Sequence, residues 1–333
     1  MMINDAGRRV SRLPWVIRMS VIVPCHNVER YAADCLQSLA RNAAPDIEFV
    51  LVDDASTDAT GDILATRAAL LPGASVITLP QNRGLSAARN AGLRAARGRA
   101  VTFLDGDDLV APGHFPALAD AIDALRCDFV RTDHVQVRGR ERRLHRISHA
   151  PRGVVCPPRS GIGQAGRHSS VDAPYAWAGA YHRRLVDAGL VSFDEDLRTC
   201  EDRPWIWRLH LHAESFAVLG LRGVRYRREV TESLTQLNDE RQFDFIPAFE
   251  RIIAMVRADH DAAGLLPKAV ESYCAIVCHH LTQLDRYPRP LRRRLRSLSA
   301  RSLVGLPTAE VSSAIARLDP IRAGTITRLL EAR

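Results

Sequence analysis

Lysine is almost missing from this chain: Lys268 stands alone among 46 Lys and Arg residues, so the cationic charge is nearly all guanidinium, fixed and always ionised. Long apolar runs are missing too. No stretch reaches the about 18 uninterrupted apolar residues of a membrane-spanning helix, so none is predicted. No Gly-x-Gly-x-x-Gly turn follows the first strand-like segment, which argues against a dinucleotide-binding dehydrogenase. Aromatic residues make up 6% of the chain, and only Tyr287 interleaves with the arginines between Arg286 and Arg301. Base stacking therefore has little support there, and no nucleic-acid partner is expected. The seven cysteines (Cys25, Cys35, Cys127, Cys156, Cys200, Cys274 and Cys278) are odd in number and scattered, which suits reduced thiols rather than a disulfide framework. Near the N-terminus, Arg8, Arg9 and Arg12 precede only Leu13-Pro14-Trp15-Val16-Ile17, too short an apolar segment for a signal peptide. The expectation is a cytoplasmic protein whose residues 1–18 form a disordered tail.

With 333 residues, 46% of them hydrophobic and 25% charged, the chain can bury a large core. The first 135 residues alternate strand-like and helix-like segments, the pattern of an α/β protein with a mostly parallel sheet flanked by helices. Strands are predicted at Ser20–Pro24, Ile47–Val52, Ser75–Leu79 and Ala100–Leu104, and helices at Ala32–Arg41, Asp58–Leu70 and Leu85–Ala96. A helix over Phe115–Leu125 and a strand over Asp128–Val137 follow. Near-continuous apolar strands such as Phe49-Val50-Leu51-Val52 imply a sheet covered on both faces. From Arg138 to Ser170 arginine, histidine, glycine and proline show no clear period, which reads as a mobile surface segment, a candidate lid. A helix near Glu201–His212 and strands at Phe216–Leu219 and Val224–Arg228 come next. Beyond Asn238 the signal is helical, broken at Pro288 and Pro290.

Chemistry-bearing residues cluster at predicted strand ends, where open α/β sheets bind ligands. Pro24-Cys25-His26-Asn27 ends the first strand. Asp53-Asp54-Ala55-Ser56-Thr57-Asp58 ends the second; an aspartate there can accept a nucleobase N–H, although Asp53 and Asp54 also fit an Asx-turn and Asp58 a helix cap. Asn82-Arg83-Gly84-Leu85-Ser86-Ala87-Ala88-Arg89-Asn90-Ala91-Gly92 has small residues at helical spacing, allowing close approach to the sheet, and Arg89 carries a charge able to meet a diphosphate. Phe103-Leu104-Asp105-Gly106-Asp107-Asp108 delivers three carboxylates, the ligands Mg²⁺ or Mn²⁺ takes when phosphate oxygens supply the rest. Thr199-Cys200-Glu201-Asp202-Arg203-Pro204 places two acids at a helix start, where the positive helix end favours their ionised forms.

These motifs, in this order, resemble those of the family 2 glycosyltransferases of GT-A fold, which are inverting and use nucleotide sugars, UDP-sugars by default. The resemblance implies that Pro24, His26, Asn27, Asp53, Asp54 and Asn82 surround the nucleobase and ribose, with Arg89 and Asp105 completing nucleotide binding. Asp107, Asp105 and Asp108 would hold Mn²⁺ or Mg²⁺ on the diphosphate. It also implies a catalytic base about 100 residues after the metal motif; Asp202 lies 95 residues beyond Asp107, with Glu201 second. Trp177, Arg203 and Trp207 are candidates for acceptor binding. Arg228 and Ser233-Leu234-Thr235 resemble a downstream element near the diphosphate. Residues 19–236 would then be the glycosyltransferase domain and 237–333 a helical appendage without family signature. The implied class is hexosyl or N-acetylhexosaminyl transfer to a glycan, a cell-surface polymer or a lipid-linked acceptor. A non-catalytic nucleotide-sugar scaffold or sensor is the alternative, and its expected mark would be loss of the acids, which are retained.

Net charge is +8, and the arginines crowd between Arg286 and Arg301 among Leu291, Leu295, Leu298 and Leu303. Such a basic amphipathic helix suits a peripheral contact with the anionic inner face of a membrane; a packed helix or a homo-oligomer contact fits as well. Cys274 and Cys278, followed by His279 and His280, have a zinc-like spacing, yet one buried helix face explains them better.

Overall fold

The computed structural model describes residues 17–228 and 238–331. The expected tail therefore lies largely outside the described residues, as does Ser233-Leu234-Thr235. The chain is α/β. Strands β1 (Met19–Cys25) and β2 (Ile47–Asp53) are buried along their whole length, as their apolar runs require of strands covered on both faces. They pair in parallel with each other, β2 with β3 (Ala74–Thr78), and β1 with β4 (Ala100–Phe103). Helices α1 (Glu29–Ala40), α2 (Thr60–Ala68) and α3 (Leu85–Ala95) form the crossovers. α3 packs so tightly that a Cβ on Gly92 would lie 2.3 Å from Ile22 Cγ2. The small-residue helix is thus a close-approach device.

After the short β5 (Leu109–Val110) and α4 (His114–Leu125), the apolar stretch expected as one strand is divided between two sheets. β6 (Phe129–Thr132) joins the large sheet, and β7 (His134–Arg138) pairs with β8 (Glu141–His145) in a smaller one. The break falls at buried Asp133, whose carboxylate accepts from Ile147 N (3.0 Å) and Arg152 Nη2 (2.6 Å). β9 (Gly179–His182) runs antiparallel between β4 and β6; α5 (Arg183–Asp187), α6 (Asp202–His212), β10 (Phe216–Leu219) and β11 (Val224–Arg227) follow. Strand order is β10-β6-β9-β4-β1-β2-β3 in the large sheet and β5-β11-β7-β8 in the small one.

The segment expected to be a mobile lid is folded. β8 occupies part of it, Ile147 and Ile162 are buried, and Cys156 bridges to Phe216. Polar composition misled because the few apolar residues are the ones that dock.

The C-terminal region is helical: α7 (Phe245–Arg257), α8 (Ala262–Thr282), α9 (Arg289–Val304), α10 (Thr308–Arg317) and α11 (Pro320–Glu331). α7 packs on α6 and α8, and α8 on α10 and α11. Cys274 and Cys278 are buried on one face of α8, and His280 stacks on Phe245 with ring centroids 4.3 Å apart.

Candidate active site

The carboxyl ends of β1, β2 and β4 open into a cavity of 1120 Å³, closed on its far side by α6 and by residues of the C-terminal helices. Parallel register sets Cys25 beside Asp53, so the loops after β1 and β2 emerge together. They are stitched to each other: Asn27 N donates to Ser56 Oγ (3.1 Å), Thr57 N to Asn27 Oδ1 (2.8 Å), and His26 Nδ1–H to the Asp54 carbonyl (2.9 Å). Pro24, His26 and Asn27 line the cavity, with Asn82 and Asp54.

The two aspartates after β2 part company. Asp54 turns toward the cavity and accepts from Arg83 N (2.8 Å) and Gly84 N (2.7 Å), clamping the turn that starts α3. Asp53 is buried beneath, accepting from Ser56 N at 3.0 Å. It is an Asx-turn rather than a cavity group, which corrects its expected place at the nucleobase.

The acidic motif divides similarly. Asp105 and Asp107 line the cavity. Asp108 points into the protein with 0% exposure, and its Oδ1 accepts from Arg227 N at 2.7 Å. It braces β11 and is not a cavity ligand, a correction to the expected trio. Burial and the neighbouring charge of Asp105 push Asp107 up to about 7. A pair of carboxylates that resist sharing negative charge is a setting a cation relieves. With no third acid converging among the described residues, a cation there would complete its shell from phosphate oxygens and water.

Arg89 lines the cavity as well. Its buried guanidinium donates from Nη1 to Glu201 Oε1 (2.8 Å) and from Nη2 to Asp105 Oδ1 (3.0 Å). It thereby ties the acidic motif to the start of α6 while lying 5.1 Å from the Phe193 ring centroid.

Cys200, at φ 58°, turns the chain into α6, with Glu201 at the position before the first helical residue and Asp202 opening the helix. Both acids line the cavity. Burial, then the charge of Asp202, raises Glu201 to about 7 against the opposing pull of Arg89. Burial also raises Asp202, opposed chiefly by Arg203. Such perturbed neighbouring acids in a cleft are the mark of proton-transfer sites.

Trp177 lines the cavity, stacked on Tyr175 at 4.7 Å, and Arg203 lines it too. Trp207 does not: it is 1% exposed in the core of α6, a correction to its expected acceptor contact. Trp205 is likewise buried, donating to the Val191 carbonyl at 3.0 Å. Sequence reasoning missed Tyr226, Arg241, Ile276, His279 and Arg286, which complete the wall. Tyr226 lies on a short strand whose alternation offers a faint signal; His279 and Arg286 stand out in the sequence only for a zinc-like spacing and an arginine cluster, and Arg241 and Ile276 carry no signal.

A switch-point cleft with split acidic pairs, at the end of a mainly parallel sheet, defines a glycosyltransferase of GT-A fold. The model of glycosyl transferase family 2 matches residues 20–187. The chain belongs to that family and is an enzyme of the glycosyltransferase class. It is 28% identical over 294 residues to the glycosyltransferase EpsJ of Bacillus subtilis, covering 86% of this chain and 84% of that one. Its fold resembles S. aureus TarS, solved in complex with UDP-GlcNAc, with TM-score 0.70 at 20% identity over 95% of this chain and 91% of that one. It also resembles a Pyrobaculum calidifontis mannosyltransferase, solved with GDP-Man and Mn²⁺, with TM-score 0.51 at 17% identity over 95% and 88%.

Proposed function

We propose that this chain is an inverting transferase that moves a sugar from a UDP-sugar to a hydroxyl of a glycan or polymer acceptor, with Asp202 as the base. The observation that carries this reading is the Arg89 bridge, which couples Asp105 of the acidic motif to Glu201, the neighbour of Asp202, in one cavity. The bridge holds the acidic motif and the start of α6 at a fixed relation, which supports a donor and a base meeting there.

The Asp202 carboxylate accepts the proton of the acceptor hydroxyl as that oxygen attacks the anomeric carbon from the face opposite the diphosphate. The new glycosidic C–O bond forms while the bond to the diphosphate breaks, and the electron pair leaves with the nucleotide. Glu201 stays paired with Arg89 and keeps the start of α6 in place. His26, Asn27, Asn82 and Asp54 shape the nucleoside end. Asp107 and Asp105 suit Mn²⁺ or Mg²⁺, which would offset charge on the leaving diphosphate.

Residues 19–236 form the catalytic unit in this reading, and 237–333 a helical region that completes the acceptor side of the cavity. No helix among the described residues is long and apolar enough to cross a membrane. A cytoplasmic enzyme that rests on an anionic membrane surface through α9 fits Arg289, Arg293 and Arg296, which are exposed and have no carboxylate partner among the described residues.

The test is Asp202→Asn. Transfer should fall by roughly 10²–10⁴-fold, the usual contribution of a general base, while UDP affinity stays within about twofold. Wild-type turnover in the variant would remove Asp202 from the role.

A further inference from the structure

The stretch that leads from α5 into α6 is pinned on two sides before it reaches the acids. On one side α3 holds it: Asn90 Nδ2 donates to the Phe193 carbonyl (2.8 Å) and Ser86 Oγ to the Leu197 carbonyl (3.2 Å). On the other the C-terminal helical region holds it. Asp244, immediately before α7, accepts from Arg198 N (2.6 Å) and Thr199 N (3.2 Å), and Thr199 Oγ1 donates to the Arg241 carbonyl (2.6 Å). The backbone of Arg198 is thereby fixed at the rim of the cavity, which its side chain lines.

That side chain lies across Gly84. A Cβ there would fall 2.5 Å from Arg198 Nη1 and 3.3 Å from its Cδ, so the bare glycine backbone, at φ 88°, is the seat of the arginine. The same Gly84 donates its N–H to Asp54 Oδ2 at 2.7 Å, which sets the guanidinium beside Asp54. Neighbouring Arg83 is paired with Glu195 at 2.5 Å, whereas Arg198 has no carboxylate within ion-pair distance among the described residues. Sheet order decides which end of the cavity this is. With β1 between β4 and β2, Asp54 stands two strand spacings, about 10 Å, from Asp105. A nucleotide whose diphosphate meets Asp105 and Asp107 therefore leaves its base at Asp54, against Arg198. A guanidinium is planar, weakly hydrated and stacks on ring faces, which suits a nucleobase.

We infer that Arg198 is a nucleobase-binding residue whose guanidinium plane lies on the base of the donor, and that Asp244 is the residue that positions it. The inference rests on the nucleotide-sugar reading and deepens it: the C-terminal helical region takes part in donor binding through Asp244, in addition to walling the acceptor side.

The experiment measures calorimetric affinity of the full chain, in Mn²⁺, for UDP and for inorganic pyrophosphate. Arg198→Ala should weaken UDP about fivefold or more, the loss of one stacked cation, while pyrophosphate stays within about twofold. Its melting temperature should hold, because the side chain is exposed. Asp244→Ala should weaken UDP by a smaller factor, and the double variant should lose no more than Arg198→Ala alone, since the two act through one contact. Unchanged UDP affinity in Arg198→Ala overturns the inference. So does an equal loss for UDP and pyrophosphate, because the arginine would then serve the diphosphate, and additive losses in the double variant remove Asp244 from its positioning role. A wild-type chain that binds pyrophosphate and not UDP strikes the UDP reading instead; the same comparison then runs with GDP, CDP or dTDP, so the two failures are distinct.

Discussion

Replacing Arg89 by methionine, which keeps the bulk and removes the charge, should be severe for reasons the geometry sets out. The guanidinium has 4% side-chain exposure and satisfies Glu201 at 2.8 Å and Asp105 at 3.0 Å. Deleting one partner of such a buried network leaves uncompensated charge and costs about 3–5 kcal/mol. At roughly 2 °C per kcal/mol for a chain of this size, the melting temperature should drop about 6–10 °C at pH 8. The loss should also depend on pH with a definite sign. Glu201 already sits near 7 against an ordinary value of 4.5, and Arg89 is among the groups holding it down. A raised folded-state value means that the native chain keeps a proton the unfolded chain releases, so stability falls as pH climbs from about 4.5 through the folded value. Without Arg89 that fall extends beyond neutrality, and the gap between variant and wild type widens from pH 5.5 to pH 8. Adding Glu201→Gln should recover part of the loss, leaving Asp105 unpartnered. Scanning calorimetry at the two pH values checks this. A variant melting within 1 °C of wild type at pH 8, or a gap independent of pH, refutes the argument.

Three other outcomes follow from the site. Activity should show an acid limb displaced upward from the ordinary carboxylate range, since burial raises Asp202 and the base must be ionised; a rate that stays flat down to the ordinary aspartate range counts against Asp202 as the base. EDTA should stop transfer and Mn²⁺ or Mg²⁺ restore it, with Asp107→Asn weakening metal-dependent UDP binding; full turnover in EDTA takes the cation out of the mechanism. On phosphatidylglycerol vesicles, a triple alanine variant at Arg289, Arg293 and Arg296 should bind roughly 100-fold more weakly, at about 1 kcal/mol per arginine, and absence of flotation by the wild type ends the membrane reading. Arg292 and Arg294 are poorer choices, being paired with Asp285 and Glu240.

Local chemistry made much of the donor end legible. Apolar runs gave β1, β2 and β4, and turn residues gave the loops after them. A dense motif within 90 residues then needed only parallel pairing to bring its pieces together. The same reasoning failed between Arg138 and Ser170, where docking rests on scattered apolar residues such as Ile147 and Ile162 without a period. It failed again at α6, where Trp207, expected at the acceptor, turns into the core.

By itself the sequence determined the first four strands of the parallel sheet and that acids stand at their ends, because each of these follows from residues close together in the chain. Only the tertiary structure decided which way each acid faces. Asp54 reaches the cavity while Asp53 braces a turn; Asp107 lines it while Asp108 accepts from Arg227, 119 residues away. Arg89 meets Glu201 across 112 residues, and the helical wall with His279 and Arg286 comes from sequence more distant still. Side-chain direction and cavity walls depend on which remote elements pack together, and no local pattern encodes that.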